Sequence, residues 1–222
     1  MNRIILLFCL VLSLSACTSK FQKVLKNKDT DYKVKMAEKY FAEKKYINAQ
    51  QLFESVIQFV KGTPRYEELY LMYANSYYYD KDYDNAENIY KTFIEYFPNS
   101  AKVEEVEFMR AYTFYKRSPK AELDQTTTNR AMQLMQSFID AHPTSTKVKE
   151  ATEVIDACRA KLELKDYKTA TLYYELAMYR AAAISYGLLS DYFPDATQAD
   201  KYKLLTLKAY FKFAENSFYD KQ

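Results

Sequence analysis

The chain has 222 residues, a formal net charge of +3 and 49% hydrophobic residues. Its 32 basic and 29 acidic residues are mixed along the sequence, so it lacks the basic stripe that nucleic-acid binding requires. Only two glycines and five prolines occur, which argues against sandwiches, barrels and glycine-rich phosphate loops. We therefore expect an all-α protein with no nucleic-acid partner.

The first residues have the three-part build of a secretory signal. Arg3 supplies a positive charge, residues 4–14 are apolar apart from Ser13, and small residues follow. The apolar stretch is eleven residues long, whereas a helix that spans a membrane needs about 20. We predict a signal peptide over residues 1–16.

The run Leu14-Ser15-Ala16-Cys17 is similar to the lipobox of bacterial lipoproteins. The resemblance implies cleavage before Cys17 and covalent attachment of a diacylglycerol and an N-acyl chain to that residue, with no other cofactor. An ordinary signal peptide that happens to precede a cysteine is the alternative. Residues 17–30 are polar and rich in lysine, and we predict that they form the lipidated N-terminus and its tether.

An internal repeat of paired helices organises residues 31–222. In three of four copies the alanine of the first helix precedes the alanine of the second by twelve positions. This spacing matches the tetratricopeptide signature, in which small residues let two antiparallel helices approach and aromatic residues fill the remaining space. Copy by copy, the positions are Ala37, Tyr40, Ala49 and Phe53; Ala74, Tyr77, Ala86 and Tyr90; Ala111, Phe114, Ala131 and Met135; and Ala170, Tyr173, Ala182 and Tyr186.

The later part of the chain departs from this regular spacing. The third copy carries a polar insertion between its helices, and an additional helix over about residues 147–164 precedes the fourth copy. A last helix over about residues 198–217 carries Ala209 and Tyr210 at first-helix positions of a fifth copy. Either it caps the fourth copy, or the chain is a shortened version of a longer protein. We expect a right-handed tetratricopeptide superhelix of about four and a half repeats over residues 31–222.

Residues with catalytic or metal-binding chemistry are few and isolated. The only histidine, His142, stands in a turn beside Pro143 and lacks the neighbouring groups that a general base or a metal site requires. Cys158 is the only cysteine after Cys17, and its apolar surroundings predict a small buried residue. We predict that the protein is not an enzyme and binds no metal.

Some of the 23 tyrosines are candidates for a binding surface. Tyr77, Tyr78 and Tyr79 are consecutive in a helix, so they point in directions about 100° apart and cannot share one buried face. In this repeat fold the first helices line a concave groove, where tyrosine offers rigid area and a hydroxyl to an extended peptide. Packing between repeats is the alternative. The candidate groove residues are Phe41, Leu71, Asn75, Tyr78, Phe108, Tyr112 and Tyr115.

The lipobox and the repeats together resemble the BamD family of outer-membrane lipoproteins. The resemblance rests further on two helix ends, Tyr96-Phe97-Pro98-Asn99-Ser100 and Ala141-His142-Pro143-Thr144-Ser145, and on Asp124-Gln125-Thr126 at the end of the insertion. It implies five repeats and an acyl anchor in the outer membrane, with the protein facing the periplasm. It also implies a non-catalytic role in β-barrel protein assembly.

The same resemblance implies the partners. These are a BamA-like barrel protein, other subunits of the assembly machinery and unfolded outer-membrane proteins, bound through first-helix residues of copies one to three. The chain departs from the family because it stops halfway through the fifth repeat, which in the family contributes to the BamA contact. A cell-envelope adaptor or pilotin-like lipoprotein is the first alternative, and a SusD-like nutrient-binding lipoprotein is the second.

Overall fold

The computed structural model describes residues 20–219. The predicted signal peptide and the predicted lipidation site Cys17 lie outside these residues. Over residues 20–219 the regular structure is helical, without a strand, so the prediction of an all-α helical-repeat fold is confirmed. The helices are α1 (Thr30–Ala42), α2 (Tyr46–Val56), α3 (Tyr66–Tyr79), α4 (Tyr83–Tyr96), α5 (Val103–Arg117), α6 (Thr126–Ala141), α7 (Val148–Glu175), α8 (Tyr179–Tyr192) and α9 (Ala199–Tyr219).

The chain forms two compact units that meet in sequence between Lys116 and Arg117. In the first unit α1 packs on α2, α2 on α3 and α3 on α4. In the second unit α6 packs on α7, α7 on α8 and α8 on α9. Packing of each helix on its sequence neighbours is the arrangement typical of helical repeats. None of the described helices combines the length and the apolar character needed to cross a membrane.

The predicted repeat positions occupy the helix interfaces. All eight alanines of the four copies are 0% exposed, because there the backbones of paired helices approach too closely for a larger side chain. The large second-helix residues Phe53, Tyr90, Met135 and Tyr186 are at most 2% exposed. The first-helix aromatics, by contrast, are only half-buried. The spacing therefore identified the core of each helix pair correctly.

The tight turns inside the copies are built without glycine. Lys44, Lys81 and Ala177 adopt left-handed φ values of 59°, 67° and 57°. In the first of these turns the Lys45 N–H donates to the Tyr40 carbonyl at 2.8 Å and the Lys44 N–H to the Phe41 carbonyl at 2.9 Å. The other two turns repeat both hydrogen bonds. This is the Schellman arrangement, which usually places glycine at the left-handed position.

Three helices end at the predicted proline punctuation. Phe97, His142 and Phe193 follow α4, α6 and α8, and each precedes a proline. Their φ values are −127°, −129° and −128°, as expected where a following proline ring disfavours helical backbone. The shared geometry explains why a proline two positions after the last helical residue closes three copies.

Helix α7 corrects the prediction of a separate helix before the fourth copy. The structure has one 28-residue helix, Val148–Glu175, that includes both the additional helix and the first helix of copy four. Residues 165–169 contain neither glycine nor proline, so nothing in the local sequence interrupts the backbone hydrogen bonds. Cys158 is buried on this helix as predicted.

The insertion of the third copy is an ordered loop that is fixed to α7. The buried side chain of Gln125 donates to the carbonyls of Lys120 and Leu123 at 2.8 and 3.1 Å, and its oxygen accepts from the Thr128 hydroxyl at 2.6 Å. From α7, the Lys165 ammonium donates to the Leu123 carbonyl at 2.7 Å. A single buried amide thus satisfies several backbone groups of the loop.

The segment before α1 differs from the polar tether that its composition predicts. Residues 20–25 are helical, and Phe21 and Val24 are buried in the core of the first unit. The Phe21 ring meets Tyr40 edge-to-face with centroids 5.7 Å apart. The few apolar residues in this lysine-rich stretch lie on one side of a helical turn, which lets them dock while the lysines stay in solvent.

The last helix, α9, has one buried and one exposed apolar side. Tyr202 and Ala209 are buried in the core that α8 and α9 share, which agrees with Ala209 as the small residue of a fifth copy. The apolar residues on the other side are solvent-exposed in the structure: Leu204, Leu207, Tyr210 and Phe211.

Candidate functional site

All seven candidate groove residues lie on the first helices of the first unit. Phe41 is near the end of α1, and Leu71 belongs to α3, where it packs half-buried against the core. The remaining positions follow the same order along α3 and α5. They are Asn75 and Tyr78, then Phe108, Tyr112 and Tyr115.

Phe41 and Tyr78 belong to a cluster of five rings at the turns of copies one and two. Tyr46 stacks on Tyr79 with centroids 5.3 Å apart, and Phe41 meets both rings edge-to-face at 5.7 and 6.0 Å. Tyr78 contacts Tyr79 at 5.5 Å and Tyr83 at 5.6 Å. We call these five residues the turn cluster. Tyr79 is the most accessible of them, with half of its surface exposed.

The fourth copy shows that part of this cluster is structural. Tyr174 and Tyr179 meet across their own tight turn at 5.3 Å, at repeat positions equivalent to Phe41–Tyr46 and Tyr78–Tyr83. Ring contacts across a turn stabilise its closure. Phe41 and Tyr78 therefore have a packing role in addition to any contact with a partner.

The sequence contained a signal for the missed members of the cluster. Tyr46, Tyr83 and Tyr179 each follow the first-helix alanine of their copy by nine positions. That recurrence places a tyrosine at the start of three second helices. It could have identified the cross-turn pairs, although the stack between Tyr46 and Tyr79 also depends on how neighbouring copies pack.

Asn75 is held by a hydrogen bond from inside its own copy. The hydroxyl of the fully buried Tyr90 donates to Asn75 Oδ1 at 2.6 Å. The fourth copy repeats the arrangement, with the Tyr186 hydroxyl donating to Thr171 Oγ1 at 3.0 Å. A polar residue directly after the first-helix alanine thus satisfies the hydroxyl of the second-helix tyrosine.

The three candidates on α5 form a row of rings, of which one is not accessible. Phe108 is only 2% exposed and stacks on Tyr112 with centroids 5.7 Å apart. The prediction that Phe108 faces a groove is therefore wrong, because its side chain is used in packing. Tyr112 contacts Tyr115 at 5.5 Å, and the Lys116 ammonium lies 5.0 Å from the Tyr112 ring centroid. These two tyrosines are half-buried.

Tyr115 differs from its equivalents in the other copies. It occupies the repeat position of Phe41 and Tyr78, but the insertion of copy three replaces the tight turn and puts Lys120 where the second tyrosine would stand. The cross-turn ring pair is consequently missing in this copy. Of the seven candidates, Tyr115 is therefore the one whose position is least explained by packing within its own copy.

Charged groups surround the rings of the first unit. The Lys45 ammonium lies 2.6 Å from Glu43 Oε2 and 5.7 Å from the Tyr40 ring centroid. The hydrogen bond from Lys45 holds the pKa of Glu43 below its usual value. Deeper in the unit, burial raises the pKa of Tyr70 to about 12. The buried tyrosine hydroxyl therefore stays neutral. The surface around these rings carries charges of both signs.

Elsewhere the structure offers little that resembles a reactive site. Burial raises the pKa of the Cys158 thiol, which makes it a poor nucleophile. Over residues 20–219 no group of three or more His, Cys, Asp or Glu side chains is placed to hold a metal ion. A cleft of about 470 Å³ in the second unit contains Asp156, Arg159 and Glu163 of α7, and none of the candidate groove residues lines it.

Comparison with known protein families decides the relationship of the chain. A family model described as YfiO, outer membrane lipoprotein, matches residues 26–222. The chain belongs to the YfiO family. The match includes all the helices α1 to α9 of both units, while Cys17 precedes it. No curated protein matches the chain.

Membership of the YfiO family agrees with the expected class of protein. The family description is that of an outer membrane lipoprotein, and the all-α repeat fold was predicted from the spacing of small and aromatic residues. The seven candidate residues and the whole second unit lie within the matched range, which begins at residue 26 of the first unit.

Proposed function

We propose that this YfiO-family protein is a non-catalytic, lipid-anchored scaffold of the machinery that folds β-barrel proteins into the outer membrane. The observation that carries the proposal is the family match over residues 26–222. The acyl chains on Cys17 would hold the protein at the outer membrane, facing the periplasm. Helical repeats suit such a role because they present extended surfaces without needing a catalytic centre.

The partners that we propose are a BamA-like barrel protein, other subunits of the machinery and unfolded outer-membrane protein segments. The half-buried rings of Tyr112 and Tyr115, and the turn cluster around Tyr79, support peptide binding in the first unit. Tyrosine contributes a large contact area at a low entropic cost and can also donate a hydrogen bond. Phe108 stacks on the Tyr112 ring and so supports its position.

Site-specific photocrosslinking in outer membranes tests the proposed partners. A photoreactive amino acid replaces Tyr115, and a matched variant carries it at Leu188, an exposed position on α8 of the second unit. We expect the first variant to capture unfolded barrel proteins and affinity purification of either variant to recover a BamA-like protein. Recovery of a secretin, or of a TonB-dependent porin alone, would contradict the proposal and favour the adaptor or nutrient-binding alternatives.

The lipid anchor is tested separately. Cys17→Ala removes the only thiol that the lipobox offers for acylation, so metabolic labelling with a fatty acid should disappear. Cys158→Ala is the matched control, because this buried cysteine lies outside the lipobox and labelling should persist. Labelling that survives in the Cys17→Ala variant would refute lipidation at this residue.

A further inference from the structure

The segment between the predicted lipidation site and α1 carries a concentrated positive charge. Residues 20–28 include four lysines and neither aspartate nor glutamate. All four lysines are exposed: Lys20, Lys23, Lys26 and Lys28. Unlike the rest of the chain, where the two signs of charge are mixed, this stretch has one sign only.

The charge is fixed to the body of the first unit rather than to a loose tether. Phe21 and Val24 are buried, and Leu25 packs half-buried against the same core. These residues recur at i, i+3 and i+4, which places them on one side of the helical turn, while Lys20 and Lys23 share another side. Docking of the apolar side therefore orients the lysines outward from copy one.

The turn into α1 continues this rigid connection. The Asn27 side-chain oxygen accepts from the Asp29 N–H at 2.8 Å, and Asp29 caps α1 by accepting from the Tyr32 N–H at 3.1 Å. Asp29 is the first acidic residue after Lys28 and is used in this cap. Its negative charge lies at the helix N-terminus, where the macrodipole stabilises it.

Chain geometry brings the lysines close to any lipid on Cys17. Two residues, Thr18 and Ser19, separate Cys17 from Lys20, so the two Cα atoms are at most about 11 Å apart even in a fully extended chain. Electrostatic attraction to a membrane surface acts over a Debye length of about 8 Å at physiological ionic strength. An acylated Cys17 would therefore hold Lys20, the first of the four lysines, close to the range of the bilayer surface charge.

We propose that the four lysines of residues 20–28 form a membrane-contact surface that binds anionic phospholipid headgroups and holds copy one against the bilayer. This inference rests on the lipidation of Cys17 in the proposed function. The acyl chains supply attachment, and the basic surface supplies orientation. Combining a lipid chain with a basic segment is a general route to a defined membrane contact.

Vesicle binding of the unacylated mature chain, beginning at Cys17, tests the basic surface directly. Vesicles contain either phosphatidylcholine alone or phosphatidylcholine with phosphatidylglycerol. Each lysine near an anionic surface strengthens binding by about fivefold, so replacing all four by glutamine should weaken binding to the anionic vesicles on the order of 600-fold. The matched control replaces four other exposed lysines by glutamine and should change binding much less: Lys102, Lys149, Lys203 and Lys208.

Two further measurements separate a surface effect from misfolding. The circular dichroism spectrum and urea midpoint of the four-lysine variant should match those of the parent chain, because the lysines are solvent-exposed. Binding of the parent chain should fall steeply with salt, since screening shortens the Debye length from about 30 Å at 0.01 M to about 3 Å at 1 M. Equal binding to both vesicle types, or equal losses in the test and control variants, would overturn the inference.

Failure of this inference can be distinguished from failure of the proposed function. A chain that recovers the BamA-like protein but does not prefer anionic vesicles overturns the membrane-contact surface alone. A chain that binds anionic vesicles through these lysines and remains unlabelled by fatty acid supports the surface and overturns the anchor.

Discussion

The hydrogen bond between Tyr90 and Asn75 allows a sharp test of how each copy is held together. The Tyr90 hydroxyl is buried and donates at 2.6 Å to the half-buried Asn75 amide oxygen. Tyr90→Phe removes one ordinary hydrogen bond, and solvent can still reach Asn75, so we expect a loss of about 1 kcal/mol in unfolding free energy. Asn75→Ala leaves the buried hydroxyl without this acceptor, which should cost about 2 kcal/mol.

The double variant distinguishes a lost bond from a stranded hydroxyl. With both groups removed, no hydroxyl is left unpaired, so the total cost should be close to that of Tyr90→Phe alone and well below the sum of the single variants. Urea unfolding followed by circular dichroism measures all three, and the transitions of the two units must be fitted separately. A double variant whose cost equals the sum, or an Asn75→Ala variant no less stable than Tyr90→Phe, would refute the reasoning. Tyr186→Phe gives the equivalent change in the second unit.

Three further perturbations follow from other parts of the structure. Phe21→Ala should release residues 20–25, seen as faster hydrogen exchange there, while the urea midpoint of the first unit changes little; unchanged exchange would contradict docking through this ring. Gln125→Ala should destabilise the second unit by about 2 kcal/mol in urea unfolding, because a buried amide that satisfies several groups is lost; a change below the experimental error would exclude that role. Lys81→Gly should stabilise the first unit by about 0.5–1 kcal/mol in the same assay, because glycine adopts positive φ freely, whereas Lys91→Gly inside α4 should cost about 1 kcal/mol.

The sequence was sufficient to predict the packing of helix pairs, because the spacing of small residues is set by local geometry. Ala74 and Ala86 had to be buried once two antiparallel helices joined by a tight turn were assumed. The backbone conformation of the turns was harder to predict, since Lys44 and Lys81 adopt positive φ without the glycine that normally indicates it. The length of α7 was misjudged because repeat spacing suggested a boundary that no residue in the helix enforces.

The candidate site was predicted less well, because groove exposure depends on contacts between distant residues. Phe108 has a first-helix position that suggests exposure, yet its ring is buried and stacks on Tyr112. Asn75 is held by Tyr90, fifteen positions later. The docking of residues 20–25 was hidden because Phe21 and Val24 are a minority in a lysine-rich stretch. In each case the deciding contact is tertiary, so composition and periodicity alone were insufficient.

Docking of residues 20–25 changes what the lipid anchor would do to the rest of the first unit. With a flexible tether of fourteen residues, the root-mean-square distance between the attachment point and the unit would be about 20 Å. Phe21 and Val24 are buried in the core that also contains residues of α1 and α3, and only two residues of the sequence, Thr18 and Ser19, separate Cys17 from the docked helical turn. The orientation of the turn cluster relative to the bilayer would then be set by copy one and its lysines. Loss of Phe21 should consequently impair capture of partners by the first unit even where acylation of Cys17 is complete.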